Sequence, residues 1–427
     1  MGRVKAKFDG IHADLEANVT KIYQRRDLMT VFDLVVHSVI QFPFQGELVT
    51  KGWVEILVVG DTRCGKSESV SKLIGHYRCG ELVTGENATY AGLIGGMQQT
   101  QKVWSITWGK FPLNDRRFLC VDELSGLPQE AISRMSGVRS SGVAEIIKIQ
   151  TERTLARVRV LWMSNPRGKR PLAAFNSGID AIQDLIGHPE DIARFDAALT
   201  VASNEVPLAI INASTRPVLE HRYTSEACNR LVYWAWSRKP NQVRWEGGAE
   251  GAVLSVATDL SRRYVPPLVE GAEQRIKIAR LAVATAARVY STSPDGESVV
   301  VTPEHVEFVG EFLDSIYKKP SMAFDLYSKA KIAEANLDRP QEIQDRFDNL
   351  PADFRGLLAD APSFTAADLQ DYASIGREQA NELASFLVRR RAIRKGKFGY
   401  YKLPAFIRFL RHYRKGQQHR EPGSDDD

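Results

Sequence analysis

The run Gly60-Asp61-Thr62-Arg63-Cys64-Gly65-Lys66-Ser67 has the residue types and spacing of a loop that wraps phosphates. Glycines at its ends let backbone N–H groups close around phosphate oxygens, and a helix opening at its end adds partial positive charge. In that geometry Lys66 reaches the β- and γ-phosphates of ATP and the Ser67 hydroxyl ligates Mg²⁺. The apolar run Val54–Val59 reads as a strand and Ser67–His76 as a helix, the flanks that this motif requires. A chance match in a glycine-containing turn is the alternative, and the flanks weigh against it.

A second site lies downstream. Phe118-Leu119-Cys120-Val121 is an apolar strand that delivers Asp122 and Glu123 at its carboxyl end, where open α/β sheets bind ligands. Asp122 would hold Mg²⁺ through water, and Glu123 would orient and polarise the attacking water. An acidic strand end without consequence is common, so the weight rests on the pairing with the phosphate loop. The strand Val158–Met163 leads into Ser164-Asn165-Pro166. Asn165 there is a candidate for contact with the γ-phosphate, or else simply a turn residue before proline. Arg194-Phe195-Asp196 follows, and ring ATPases supply such an arginine to the neighbour's γ-phosphate. A surface Arg–Asp pair worth little is the competing reading.

The elements that must position these residues alternate. Strands at 54–59, 118–121 and 158–163 interleave with helices at 67–76 and 128–135, implying a mostly parallel sheet covered on both faces. Residues 1–50 read as helical, with Met29, Val31, Phe32, Val35, Val36, Val39 and Ile40 at helical period and Pro43–Gly46 as the stop. Beyond Val206 strand signals fade, and helices are expected over 226–236, 248–264 and 272–290. Thr302-Pro303-Glu304 is a helix start. Thr365-Ala366-Ala367-Asp368 resembles a capping box with Asp for Glu. A helix through Ala380, Leu383, Ala384 and Leu387 follows, then a ribbon at Lys395–Lys402. Helix, turn, helix and ribbon in that order predict a winged helix-turn-helix.

Composition sets the bounds. At 427 residues, with 43% hydrophobic and 26% charged, the chain is long enough for two or three globular domains. The net charge of +5 is unevenly placed: Val388–Arg420 holds twelve Lys or Arg and no Asp or Glu, and the chain ends in Asp425, Asp426 and Asp427. Such a block points to nucleic acid, or equally to a solvated helix face. Cys64, Cys79, Cys120 and Cys228 form no metal-ligand spacing or disulfide framework, as in a reducing, cytoplasmic compartment. No secretory leader or membrane span is expected.

Together the motifs resemble the AAA+ domain of the MCM (minichromosome maintenance) replicative helicases. Gly60-Asp61, Tyr90-Ala91-Gly92-Leu93, Val121-Asp122-Glu123, Ser164-Asn165-Pro166 and Ala193-Arg194-Phe195-Asp196 are similar to the family's stretches in the same order. The resemblance covers about 48–316. It implies a β-hairpin near Gln98–Trp108 and another that presents Lys148 to a central channel. It further implies a second sensor arginine opening the helix at 272–290; the alignment puts Glu273 at that place, and Arg275 is the nearest arginine. Thr62-Arg63 stands where the family has Pro-Gly, and the family's N-terminal oligonucleotide-binding domain has no counterpart in residues 1–50.

The expected fold is therefore an α/β AAA+ P-loop core with a parallel sheet, a helical lid and a C-terminal winged helix. The expected domains are a helical lead at 1–50, the ATPase core at 51–207, the lid at 208–318, a linker at 319–360, the basic winged helix at 361–420 and an acidic tail at 421–427. The expected activity is Mg²⁺-dependent ATP hydrolysis by a hexamer that translocates on and unwinds DNA, in replication of a phage or mobile element. Single-stranded DNA would run through the channel at Lys148. Duplex DNA would meet Arg389, Arg390, Arg391, Lys395 and Lys397 of the winged helix. A separate protein carrying the missing N-terminal domain, or a primase, is the expected partner. Alternatives are a protein remodeller of the magnesium-chelatase kind, an enhancer-binding activator and an ATP-switched origin-binding initiator. Gly95-Gly96-Met97-Gln98-Gln99 lacks the activators' Gly-Ala-Phe-Thr-Gly-Ala loop.

Overall fold

The computed structural model describes residues 2–100, 103–148, 151–335, 339–349, 361, 363–373, 375–397, 399–407 and 409–410. The chain divides into two compact units, Met1–Tyr327 and Ser328–Asp427. In the first, five parallel strands form one sheet in the spatial order Ala197–Val201, Glu55–Gly60, Arg159–Ser164, Phe118–Asp122, Glu81–Thr84. Four of them are buried at every residue, as strands covered on both faces must be. Glu81–Thr84, on the edge, is mostly exposed.

The first fifty residues are not uniformly helical. Helices Arg3–Leu15 and Arg26–Val36 flank a π-helical turn at Glu16–Thr20. A hairpin then pairs Phe42–Phe44 with Glu47–Val49. Its Gln45-Gly46 turn has φ of 53° and 78°, and two residues at positive φ give the turn whose twist suits a hairpin. Every residue from Leu28 to Val36 is buried. This segment is thus part of the sheet's cover.

Helices Ser225–Ser237, Ala249–Arg263, Gln274–Arg288 and Pro303–Tyr317 lie close to the spans read from the sequence. The strand pair Val243–Trp245 with Val299–Val301 was not anticipated. These helices share one continuous hydrophobic core with the sheet. A buried ionic cluster fastens three of the first unit's helices to Asp33 of Arg26–Val36. Its carboxylate meets Arg288 Nε at 2.9 Å, His12 Nε2 at 3.0 Å and the Tyr77 hydroxyl at 2.7 Å. Removing one partner of such a buried pair costs about 3–5 kcal/mol, because an uncompensated charge remains.

The second unit has its own core of Ile343, Phe347, Phe364, Leu369, Leu383, Leu387, Ile393 and Phe406. Helix Pro340–Asp348 precedes strand Ser363–Phe364, helices Ala366–Ala373 and Arg377–Arg389, and the ribbon Ile393–Gly396 with Gly399–Lys402. The Thr365–Asp368 box closes in both directions: Thr365 N–H donates to Asp368 Oδ2 at 2.6 Å, and Asp368 N–H to Thr365 Oγ1 at 3.2 Å. The acidic tail and most of the linker after Asn349 lie outside the described residues.

Two histidines give the fold a pH dependence. Burial, with Arg288 nearby, pushes His37 down to about 3, and burial pushes His305 down to about 4. Both folded values lie below the unfolded value of about 6.5. The unfolded chain therefore binds more protons, and stability is full above that value and lost as pH falls toward 3–4. The melting temperature should drop between pH 7 and 5. His305→Gln, which can still accept the Thr302 N–H that His305 accepts at 3.0 Å, should flatten the slope. A melting temperature independent of pH across this range would refute the assignment.

Candidate active site

Strand Glu55–Gly60 ends in the loop 60–65, and helix Lys66–Tyr77 begins directly after it. Two glycines are demanded by geometry. A Cβ on Gly60 would lie 2.5 Å from the Val201 carbonyl oxygen and 3.0 Å from Lys66 Cδ, and Gly65 has φ of 83°. Asp61 pins the loop from outside, its carboxylate accepting Leu172 N–H at 2.8 Å and Ser203 N–H at 3.0 Å. Thr62, Arg63 and Ser67 are exposed, while Cys64 is buried.

The Lys66 ammonium is held by three oxygens: Gly60 O at 2.8 Å, Asp61 O at 2.7 Å and Asn165 Oδ1 at 3.0 Å. Asn165 Nδ2 in turn donates to both Glu123 oxygens, at 3.1 and 3.2 Å. Lys66, Asn165 and Glu123 thus form one chain of contacts across three adjacent strand ends. Asp122 is buried beside them and accepts the Glu123 N–H at 2.9 Å. Glu123 sits at φ of 54°, which turns its side chain away from the strand direction. Burial first, then the Asp122 carboxylate, raise the Glu123 carboxyl above its ordinary value. A stronger base in reach of a water molecule is what general base catalysis uses. Ser67, Asp122 and Glu123 offer hard oxygen donors of the kind Mg²⁺ takes alongside phosphate oxygens and water, so the residues fit that ion.

Beside the loop is a cavity of about 240 Å³ lined in part by Tyr23, Arg25, Arg63, Cys64, Val206 and Arg216. The Arg216 guanidinium lies 4.3 Å from the centre of the Tyr23 ring. Arg25 joins the cavity's two walls: Nε donates to Cys64 O at 3.2 Å, and its Nη atoms to Glu205 and Ala202 O at 2.9 Å each. None of Tyr23, Arg25 or Arg216 stood out in the sequence. They belong to irregular segments, and no spacing connects them to the loop.

Arg194 is elsewhere. It precedes the strand Ala197–Val201, whose Ala197 pairs with Ile56 and Val201 with Gly60. It therefore lies at the amino end of the sheet, whereas the phosphate loop lies at the carboxyl end. Five residue steps separate Glu55 from Gly60, about 16 Å at ~3.3 Å per step. Arg194 donates to the Ser140 hydroxyl and lies 3.9 Å from Asp191. Asp196 is bonded by Arg280 at 2.6 Å and accepts the Glu55 N–H at 2.8 Å. Arg275 is exposed near Gln45, at 3.4 Å, in the cleft shared with Lys51 and Arg280. It too stands apart from the phosphate loop.

Two hairpins complete the unit, Gly95–Thr100 with Val103–Trp108 and Val143–Ile147 with Thr151–Leu155. Lys148 is exposed at the turn of the second; its neighbours Ile149 and Gln150 lie outside the described residues. In the second unit Arg389, Arg391, Lys395 and Lys397 are exposed. Arg390 pairs with Glu342 and lies 5.4 Å over the Phe386 ring. That engages it in packing.

Lys66→Ala should abolish ATP binding, because it removes the ammonium that the Gly60 and Asp61 carbonyls hold at the loop. Glu123→Gln should keep ATP binding and lower turnover by about 10²–10⁴-fold, the usual worth of a positioned base. Wild-type turnover by Glu123→Gln in a phosphate-release assay would remove Glu123 from the reaction.

Compared with known families, residues 10–205 match the MCM P-loop domain. No curated protein matches the chain.

Proposed function

The chain carries an MCM-family AAA+ domain, that of an ATPase, and on that premise we propose that it is a ring motor, a hexamer, that hydrolyses ATP to translocate on and unwind DNA. The observation that carries the proposal is the separation of Arg194 from its own phosphate loop by the length of the sheet. An arginine so placed serves a nucleotide held by another copy. The hydrolytic site is then shared, and the active form is an assembly.

Within one subunit the roles follow from the contacts. The Tyr23–Arg216 cavity takes the base. The loop amides and Lys66 take the phosphates. Ser67, and Asp122 through water, would hold Mg²⁺, which would offset the phosphate charge. Glu123 removes a proton from the attacking water, and Asn165 keeps Glu123 and Lys66 in register. A neighbour's Arg194 meets the charge that develops as the γ-phosphoryl group leaves. Arg275, also away from its own loop, is proposed as the second sensor in the same interface. Lys148 contacts a backbone phosphate of single-stranded DNA in the channel. The second unit has the element order of a winged helix, with Arg389, Arg391, Lys395 and Lys397 as its duplex contacts. Replication of a phage or mobile element remains the proposed setting. A protein remodeller is favoured by one observation, the exposed Ile147 beside Lys148 (68% accessible), since an apolar hairpin tip can grip polypeptide.

Arg194→Ala should still bind ATP yet lose turnover by on the order of 10³-fold, as for a lost arginine finger. Mixing it with Lys66→Ala subunits should restore part of the activity, because some interfaces then contain both residues. An active species that sediments strictly as a monomer would overturn the shared site.

Lys148→Ala should bring the ratio of DNA-stimulated to DNA-free ATP turnover down to about one, with loss of strand displacement on a forked duplex. Unchanged displacement would shift the balance to the remodeller.

A further inference from the structure

The short helix Ser136–Ser141 stands between two features that the proposed function uses separately. On one side it holds the segment that carries Arg194. The Ser136 hydroxyl donates to the Asp191 carboxylate, Arg139 Nη1 to the Asp191 carbonyl at 3.5 Å, and the Ser140 hydroxyl receives Arg194 Nη1. On the other side the helix runs straight into the Lys148 hairpin. Gly142 ends it at φ of 67°, Val143 begins the first hairpin strand, and Ala156 N–H, just past the second strand, donates to the Gly142 carbonyl at 2.7 Å. A Cβ on Gly142 would meet Trp53 at 2.6 Å and Arg157 at 2.7 Å. The hairpin base is therefore packed on both sides and cannot shift without moving the helix end.

The helix is also anchored to the sheet. Arg139, buried, pairs with Glu55 at the start of the phosphate-loop strand and lies 4.3 Å over the Phe195 ring. The same Glu55 accepts a hydrogen bond from Trp162 Nε1 at 2.7 Å, from the strand that leads into Asn165. Six residues of helix thus join the hairpin, the arginine segment and, through Glu55, two strands of the sheet. A helix this short has no internal hinge, so a displacement at Gly142 is carried to Ser140, two residues earlier.

We infer that the helix Ser136–Ser141 positions Arg194, with Ser140 as the residue that sets the guanidinium, so that a load on the Lys148 hairpin changes how well Arg194 serves the neighbouring nucleotide. This rests on the reading of Arg194 as a residue used in trans. It goes further in making Ser140 a positioning residue and the helix the connection between DNA contact and turnover.

The test uses the full-length chain with Ser140→Ala, Ser140→Thr, Arg194→Ala and the double variant Ser140→Ala/Arg194→Ala. Arg139→Ala is avoided because it leaves Glu55 buried without its partner and endangers folding. ATP turnover is measured against ATP concentration, with and without an oligothymidylate, whose affinity is followed by fluorescence anisotropy. Ser140→Ala should lower kcat by about tenfold, since misplacing a reacting group by ~1 Å can cost on the order of 10²-fold. KM for ATP should hold, and Ser140→Thr, which keeps the hydroxyl, should recover the rate. Stimulation by the oligonucleotide should fall in Ser140→Ala at unchanged affinity. In the Arg194→Ala background Ser140→Ala should have no further effect. A wild-type kcat in Ser140→Ala while Arg194→Ala is inactive overturns this inference and spares the shared site. An equal loss in both backgrounds marks general damage and also overturns it. Full stimulation by the oligonucleotide in Ser140→Ala rejects the connection to the hairpin. Full activity in Arg194→Ala removes the shared site and this inference together.

Discussion

All five strands of the central sheet run the same way, and that constraint divides the chemistry of the molecule into two ends. Parallel strands place every carboxyl terminus on one side, so the loop after Gly60, the acids after Val121 and Asn165 after Ser164 converge without any long-range design. The same rule sends the segment before Ala197 to the far side. A side chain reaches several ångströms, whereas a six-residue strand spans about 16 Å. Arg194 and Lys66 of one chain therefore cannot meet on one phosphate. In the proposed reading this makes the assembly a requirement of the sheet itself.

The amino end of the sheet is held by charge rather than by apolar packing alone. Glu55 is buried and ringed by Arg139, Lys51 and the Trp162 indole N–H. Arg280 and Asp196 form a second buried pair alongside. Lys277, pushed down to about 8 by burial, donates to the Ala193 carbonyl at 2.6 Å. Apolar residues of equal volume could stabilise such a site as well. What charges add is direction: each hydrogen bond fixes an angle, and the residues on either side of Arg194 are those so fixed. In the proposed reading, that direction sets how Arg194 is presented, against the desolvation these groups cost.

The strands that carry the site were legible because each holds a four-residue apolar run, Ile56–Val59, Phe118–Val121 or Val160–Met163, closed by Gly60, Asp122 or Ser164, and burial on both faces demands such runs. The rest was less legible for identifiable reasons. Glu81–Thr84 is a mostly exposed edge strand, so no apolar run marks it. Ala197–Val201 holds two alanines and a threonine and only two strongly apolar residues, Leu199 and Val201, although all five are buried. The Phe42–Val49 hairpin hid behind Pro43, read as a helix stop, while Gln45-Gly46 carried a usable turn signal. The cavity residues Tyr23, Arg25 and Arg216 were out of reach, since only the folded chain brings residues so far apart in sequence together around one space.

Asn165 shows what one amide can do at the junction of two charges. Lysine ammonium can only donate hydrogen bonds and glutamate carboxylate can only accept them. A residue between Lys66 and Glu123 must therefore accept on one side and donate on the other. Aspartate would repel Glu123, leucine would break the contact on both sides, and serine has a single donor where Glu123 receives two contacts. The amide also has one allowed orientation here, since its oxygen must face the ammonium at 3.0 Å. It follows that any movement of Lys66 toward a bound phosphate alters the amide and with it the carboxylate. In the proposed reading the base is thereby aligned by the arrival of the γ-phosphate rather than standing ready without it.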